Sequence, residues 1–355
     1  MKHECLSTVF YFLILLFLSR LIRHFYKKEP HTSTSDGSIV MAIGIFSFDA
    51  LQQLSFCTHK FSQVVTLELL IIWLYLASSY INQYLQGSFN VTIKCKVSQF
   101  GIGTWVAGSS ILAMLIFRDF SCYHFVAWMC AFLAFIIWLI YLILAVSNLW
   151  LIVVRQSTVH IGIILLATVS TQSIALLTYF LFATSIGFFA YQMLIVLGYL
   201  FYLTGLFIIG RYLLQIQWKR IVLGWNSTNS IIHGALSISG LAAATTEVMP
   251  EEIIIGTWFL ATVFLLLVEG ISVIKGLYRL RIAGFTQGIL VYDVSQWARV
   301  FTFGMYYTFN LSLIGHHVYT NCFIKEITHY GQYGVAVILL FELVNYFNHV
   351  MKARG

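Results

Sequence analysis

Apolar residues run along this chain in blocks of about twenty, separated by short stretches that hold most of the charges. About twenty apolar residues is the length a helix needs to cross the hydrocarbon of a bilayer. Ten such blocks predict spans at 38–57, 62–84, 98–117, 122–147, 158–181, 190–211, 226–246, 252–274, 295–317 and 332–351. An eleventh block, 6–19, has only 14 residues before Arg20. It is short for a span and no small-residue cleavage site follows it, so an interfacial helix and an extra span both stay open. The expected organisation is an N-terminal apolar segment with a basic linker (1–37), a ten-helix membrane domain (38–351) and a short cytoplasmic tail (352–355).

The blocks are of two kinds. In 18-residue windows, Gly, Ala, Ser and Thr fill 37 of 90 positions in the odd-numbered spans and 18 of 90 in the even-numbered ones. Small and hydroxyl residues let membrane helices approach closely or line a cavity, whereas a run such as Phe132–Leu139 suits contact with lipid. The simplest all-α architecture is five helical hairpins with odd helices in an inner ring and even helices outside. Close packing without a conduit would produce the same contrast. The seventh span favours a lining, because it carries His233, Ser237, Ser239, Thr245 and Thr246 where tight packing alone needs only Gly and Ala.

Composition agrees with lipid as the main solvent. The chain has 355 residues, 60% hydrophobic and only 9% charged, against about a quarter charged in a soluble domain. That excludes a soluble enzyme, and the spread of the +7 net charge along apolar segments excludes a nucleic-acid binder. With the segment before residue 38 placed in the cytoplasm, fifteen Lys and Arg fall on the inner side and three (Lys60, Arg118, Lys325) on the outer. This satisfies the positive-inside rule and puts the C-terminus in the cytoplasm. Six cysteines without a C-x-x-C pair indicate neither a metal site nor a redox pair, and no cofactor is expected. Only Pro30 and Pro250 occur, both in polar connections, so glycines such as Gly101, Gly103 and Gly304 are the candidates for helix flexibility.

Five motifs on alternate spans carry a resemblance: Val40–Ile45, Thr104–Leu112, Ala167–Ser173 ending in Thr-Gln-Ser, His233–Ile238, and Trp297 followed by Val300–Tyr306. Together they resemble the tellurite-resistance/C4-dicarboxylate transporter family, which includes plant slow anion channels and yeast malate and sulfite carriers. The resemblance implies ten helices as five hairpins around a central pore, a homotrimer in the plasma membrane, and a small anion as substrate. It also implies that Phe301 blocks the pore. An apolar ring in a narrow conduit offers an anion no donor and dewets the constriction. The chain departs from the family where Thr302 replaces a proline, so the backbone donor that proline removes is kept.

Four acids fall inside predicted spans: Asp49, Glu68, Glu269 and Glu342. Asp49 is near the middle of an odd span, where a fixed negative charge opposes anion passage. Either it is protonated or paired during transport and couples protons to anions, or it hydrogen-bonds a neighbouring helix. The three glutamates lie on even spans and suit contacts between helices or subunits. Arg299, at the start of span nine, either attracts anions to the inner mouth or is an ordinary interfacial cation. The remaining lining candidates are Thr104, Ser170, Thr171, Gln172, His233, Ser237, Ser239 and Phe303, weak donors that suit flow better than tight binding. Glu251-Glu252 lacks the arginine of a membrane CAAX-type protease motif at Gly256, the histidines do not face one another as haem ligands, and Gly101-x-Gly103 follows no strand. Two function classes remain: an anion channel or proton-linked carrier, and a non-transporting membrane subunit or sensor of the same fold.

Overall fold

The computed structural model describes residues 33–88, 95–155, 161–182 and 187–352. The expectations for segment 6–19, for the first residues of span 158–181 and for the tail 353–355 lie outside these residues. All regular structure among them is helical. The helices are α1 (Gly37–Ile45), α2 (His59–Leu85), α3 (Lys96–Gly101), α4 (Gly103–Asp119), α5 (His124–Arg155), α6 (Leu166–Phe182), α7 (Phe188–Leu214), α8 (Trp218–Gly224), α9 (Ile231–Thr246), α10 (Glu251–Gly288), α11 (Ser295–Gly315) and α12 (Cys322–Lys352).

Eight helical segments among the described residues are long and apolar enough to cross a membrane: Thr34–Gln53, His59–Leu85, Lys96–Asp119, Ser121–Val154, Ile163–Phe182, Phe188–Leu214, Glu251–Phe285 and Cys322–His349. The chain is therefore a multi-span helical membrane protein. The other two predicted spans, 226–246 and 295–317, also fold as helices, α9 and α11, but fall short of that apolarity. The physical reason is their position. Nearly every residue of α9 is buried among other helices, so its side chains do not have to satisfy lipid.

Local signals set the ends. Thr58 caps α2 by accepting a hydrogen bond from the Phe61 amide. Glu247 takes a left-handed conformation (φ 55°) and stops α9, and three residues later Pro250 opens α10 with Glu251 and Glu252 in its first turn, where carboxylates complement the helix dipole. Gly284 (φ 70°, ψ −178°) breaks α10. The chain folds back there, so that a Cβ on Gly288 would lie 2.8 Å from the Arg279 carbonyl oxygen.

The inner helices close a ring: α1 packs on α4, α4 on α6, α6 on α9, α9 on α11, and α11 on α1. Each outer helix lies against this ring, α2 on α1 and α4, α5 on α4 and α6, α7 on α6 and α9, α10 on α9, and α12 on α11. Burial follows the same division. In the most apolar stretch of α4 and of α6, 83% of residues are buried, against 22–33% in α2, α5, α7, α10 and α12. The predicted contrast of small and bulky helices is thus a contrast of position.

Glycines set the ring's spacing and direction. A Cβ on Gly37 would meet Thr104 at 2.6 Å and one on Gly44 would meet Ile111 at 2.5 Å. Seven residues along α1 match seven along α4, so the two run parallel. On the other side, Gly234 meets Thr302 and Gly240 meets Phe309, which sets α9 parallel to α11. Gly304 meets Ile45 at 2.7 Å, which makes it a point of close approach, and α11 runs unbroken through it. Among the flexibility candidates, Gly101 and Gly103 do flank a break, since α3 ends at one and α4 begins at the other.

Outer helices are fastened to the ring by aromatic donors. Trp73 Nε1 donates to Ser109 Oγ (2.9 Å), Trp138 Nε1 to Thr171 Oγ1 (3.2 Å), Trp258 Nε1 to Asn310 Oδ1 (3.0 Å) and Tyr202 Oη to the Ile232 carbonyl (3.2 Å). Each bond runs from an outer helix to the inner helix that follows it in sequence. An indole N–H in lipid has no water to turn to, so it fixes the rotation of the helix that carries it.

Replacing Gly234 with Ala puts a methyl group 2.2 Å from Thr302 Cγ2 and 3.2 Å from its Cα, and should cost about 1–3 kcal/mol by overpacking. Gly256→Ala, with nothing within 4 Å, should cost nothing. Thermal melting of the two variants in one detergent checks the difference.

Candidate functional site

A cavity of about 470 Å³ lies on the axis of the ring and takes residues from all five inner helices. Each helix contributes a stripe at three- and four-residue spacing: Ile45, Phe48 and Asp49 from α1 and the turn after it; Ala107, Ser110, Ile111 and Met114 from α4; Ser173, Leu176, Tyr179 and Phe180 from α6; Ile238, Leu241 and Thr245 from α9; Phe301, Met305, Thr308 and Ser312 from α11. At one end Gly315 and His316 line it and are exposed, while Phe301 and Ala107 at the other are 3% exposed. The cavity therefore opens where the inner helices end and closes toward their N-termini, with Phe301 the first lining residue along α11.

The open end is held by a polar cluster on the segment that carries Asp49. Phe46–Ala50 forms a π-helical turn followed by a 3₁₀ turn at Leu51–Gln53, which leaves carbonyls without regular helix partners. Arg118 supplies donors to the Phe48 (2.7 Å) and Ser47 (3.3 Å) carbonyls, and Gln52 Nε2 also reaches Ser47 (3.2 Å). Arg118 Nε is paired with Asp119 Oδ1 at 2.7 Å. Asp119, 3% exposed, accepts further bonds from Ser62 Oγ (2.9 Å) and Thr66 Oγ1 (2.6 Å) on α2. The guanidinium also lies 5.5 Å from the centre of the Phe48 ring. Asp49 itself faces the cavity beside Thr308, with Arg118 the cation acting on it.

A second charged cluster lies outside the axis. Glu269 on α10 is paired with Arg299 on α11 and stands 3.7 Å from His233 Nε2 on α9. His233 is fully buried, its ring nitrogens make no hydrogen bond, and the Phe303 ring meets it edge-on at 5.8 Å. The contacts Glu269–Arg299, Thr262–Tyr306 (2.6 Å) and Trp258–Asn310 form a ladder that runs opposite ways along the two helices. Glu269 is thus a contact between helices, and Arg299 spends its charge on it.

Of the residues expected on the pathway, Phe301 and Asp49 line the axial cavity. Thr104, Ser170, Thr171, Gln172, Ser237 and Ser239 are on inner helices but turned into packing. Thr104, Ser170, Thr171, Ser237 and Ser239 donate to carbonyls of their own chain segment at 2.8–3.1 Å, and Gln172 Nε2 reaches Ile195 O on α7 at 3.1 Å. His233 and Phe303 face away from the axis. Phe303 and Arg299 line a groove on the outer side of α11 instead.

The reason is phase: one residue turns a helix by 100°, so Phe301 and Phe303 cannot share a face. Thr245, one of the polar residues that favour a lining on the seventh span, does face the cavity, and Ser110, Ser173, Thr308 and Ser312 join it although residue type alone does not single them out. Met305, Thr308 and Ser312 follow Phe301 at the spacing of one helix face. Ser110 and Ser173 donate to Val106 O (2.7 Å) and Val169 O (2.8 Å), which leaves Thr245, Thr308 and Ser312 as the serine and threonine hydroxyls of the lining not committed to a carbonyl.

Compared with models of known protein families the chain has no match, and no curated protein matches it either. The family resemblance accordingly rests on the five motifs alone.

In a background with its native cysteines replaced, Ser312→Cys and Thr245→Cys should react with a water-soluble thiol reagent. Ser237→Cys and Ser170→Cys, at fully buried positions, should stay protected. Equal labelling of all four would contradict a cavity bounded as described.

Proposed function

We propose that the chain conducts a small anion along the axis of its five-helix ring, with Phe301 as the closed gate. The observation that carries this reading is the axial cavity, to which all five inner helices contribute and which ends at that ring. All ten long helices then cross the membrane, α9 and α11 included, shielded by their neighbours. The distribution of Lys and Arg supports a cytoplasmic position for the N-terminal ends of the inner helices. The motifs described above support a plasma-membrane trimer and a carboxylate, oxyanion or halide as the substrate.

Two electrostatic features support an anion that is passed along rather than held. The parallel inner helices point their N-termini, each worth roughly half a positive charge, toward the closed end, which draws an anion past the gate once it opens. Asp49 stands in the cavity with a charge that repels the same anion. Protonation removes that repulsion, so Asp49 is the group through which proton and anion movement are coupled, and the protein works as a proton-linked carrier.

Flux in proteoliposomes, measured for a panel of malate, sulfite, nitrate and chloride, tests the reading. Phe301→Ala should raise flux of the accepted anion by about tenfold or more, since a dewetted barrier of about 1.4 kcal/mol is worth that factor. Wild-type flux should rise as the pH on the open side falls, and Asp49→Asn should conduct without that dependence. If both wild type and Phe301→Ala are inert toward every anion, the transport reading fails and a non-transporting subunit or sensor takes its place.

A further inference from the structure

On the outer face of α11, a groove of about 480 Å³ runs between α10 and α12, away from the ring axis. It exists because α10 packs on α9 and α12 packs on α11, while neither packs closely on the other. The reversal at Gly284 then brings residues 288–293 over its end. One wall is apolar and continuous with the lipid-facing surface: Phe303 on α11 and Val337, Ile338 and Phe341 on α12, of which Val337 and Phe341 are exposed. The end of the groove is polar and carries both signs, with Lys275 and Arg279 from α10 and Asp293 and Glu342 opposite them.

Two buried polar atoms on this lining have no hydrogen-bond partner, and they are of opposite kinds. Trp225, 3% exposed, has an indole N–H with no acceptor. Glu342, 2% exposed, has a carboxylate oxygen, Oε1, with no donor. A buried polar group without a partner is costly, and most are satisfied by water or a ligand. A single anion would satisfy the indole and leave the carboxylate worse off, and a single cation would do the reverse. A group that is an acceptor at one end and an N–H donor at the other satisfies both.

We infer that the groove is a binding site for an amine-bearing phospholipid of the phosphatidylethanolamine kind. The phosphate meets Trp225 Nε1, Lys275 and Arg279, the primary ammonium donates to Glu342 Oε1, and an acyl chain lies along the wall of α12. A quaternary ammonium has no N–H to give and leaves Glu342 Oε1 unsatisfied. A glycerol headgroup offers no positive charge to the acidic side. The site is independent of the transport reading, because none of its residues faces the axis.

The purified full chain in detergent, titrated with phosphatidylethanolamine, phosphatidylcholine and phosphatidylglycerol of identical acyl chains and followed by native mass spectrometry, tests it. Phosphatidylethanolamine should bind at least about tenfold tighter than the other two. Glu342→Gln should bring the ethanolamine-to-choline ratio close to one, by weakening ethanolamine-lipid binding more than choline-lipid binding. Arg279→Gln, on a half-exposed residue that keeps the fold, should weaken all three lipids. Equal affinity for the ethanolamine and choline lipids, preference for the glycerol lipid, or an unchanged ratio in Glu342→Gln would overturn the proposal. So would free phosphoethanolamine competing as well as the lipid, which would make the ligand a soluble one.

Discussion

In lipid an apolar side chain gains nothing by leaving its solvent, so helices of a membrane bundle are held by how closely they approach and by polar groups with nowhere else to go. Both constraints act on the inner ring of this protein. Gly37, Gly44, Gly234, Gly240 and Gly304 stand where a Cβ would collide with the neighbouring inner helix, and their absence of side chain lets five helices close a ring. Residues that would be ordinary in a soluble core, such as Ser109 and Thr171, serve as acceptors for tryptophans that arrive from outside. The ring is tight because of its glycines, and the outer helices keep their rotation because of their indoles.

Hairpin connectivity has an electrical consequence. When every outer helix returns the chain to the same end, all inner helices run one way, and their dipoles add instead of cancelling. The open end of the axial cavity then lies at five helix C-termini, a poor place for an anion, and Asp49 adds to that sign. The cation on that side, Arg118, is committed to Asp119 and to the carbonyls of the π-helical turn. It builds the wall of the mouth and holds Asp49 in place, which is structural work. At the other end, Arg299 is likewise committed to Glu269.

Arg118, Asp119, Arg299, Glu269, Asp49 and Glu342 are each either paired or placed beside a space. Arg118–Asp119 and Arg299–Glu269 are paired across or within helices. Asp49 faces the axial cavity, and Glu342 faces the groove beside α12. A carboxyl that borders a void points to something that enters the void, most directly at Glu342, whose Oε1 has no donor. The two acids border different voids, one enclosed by the ring and one open to its outer surface.

The membrane class, the helical hairpins and the inner and outer roles were legible in the sequence, because span length and the frequency of small residues are properties of composition that no contact can alter. The cavity-facing stripe of α11 could have been followed from Phe301 through Met305, Thr308 and Ser312 by helix period alone. The rotation of each inner helix was not legible. Thr171 and Ser173 have nearly the same chemistry in sequence, yet one receives an indole and the other faces the cavity. That choice is made by where Trp138 on α5 arrives, a contact between helices that no local pattern encodes. The groove beside α12 was likewise invisible, because Trp225, Arg279 and Glu342 are far apart in the chain and only the fold-back at Gly284 and the gap between two outer helices bring them to one place. Residue type decided what lies in lipid and what is shielded from it; tertiary packing, acting through single indoles and glycines, decided which atoms face a cavity.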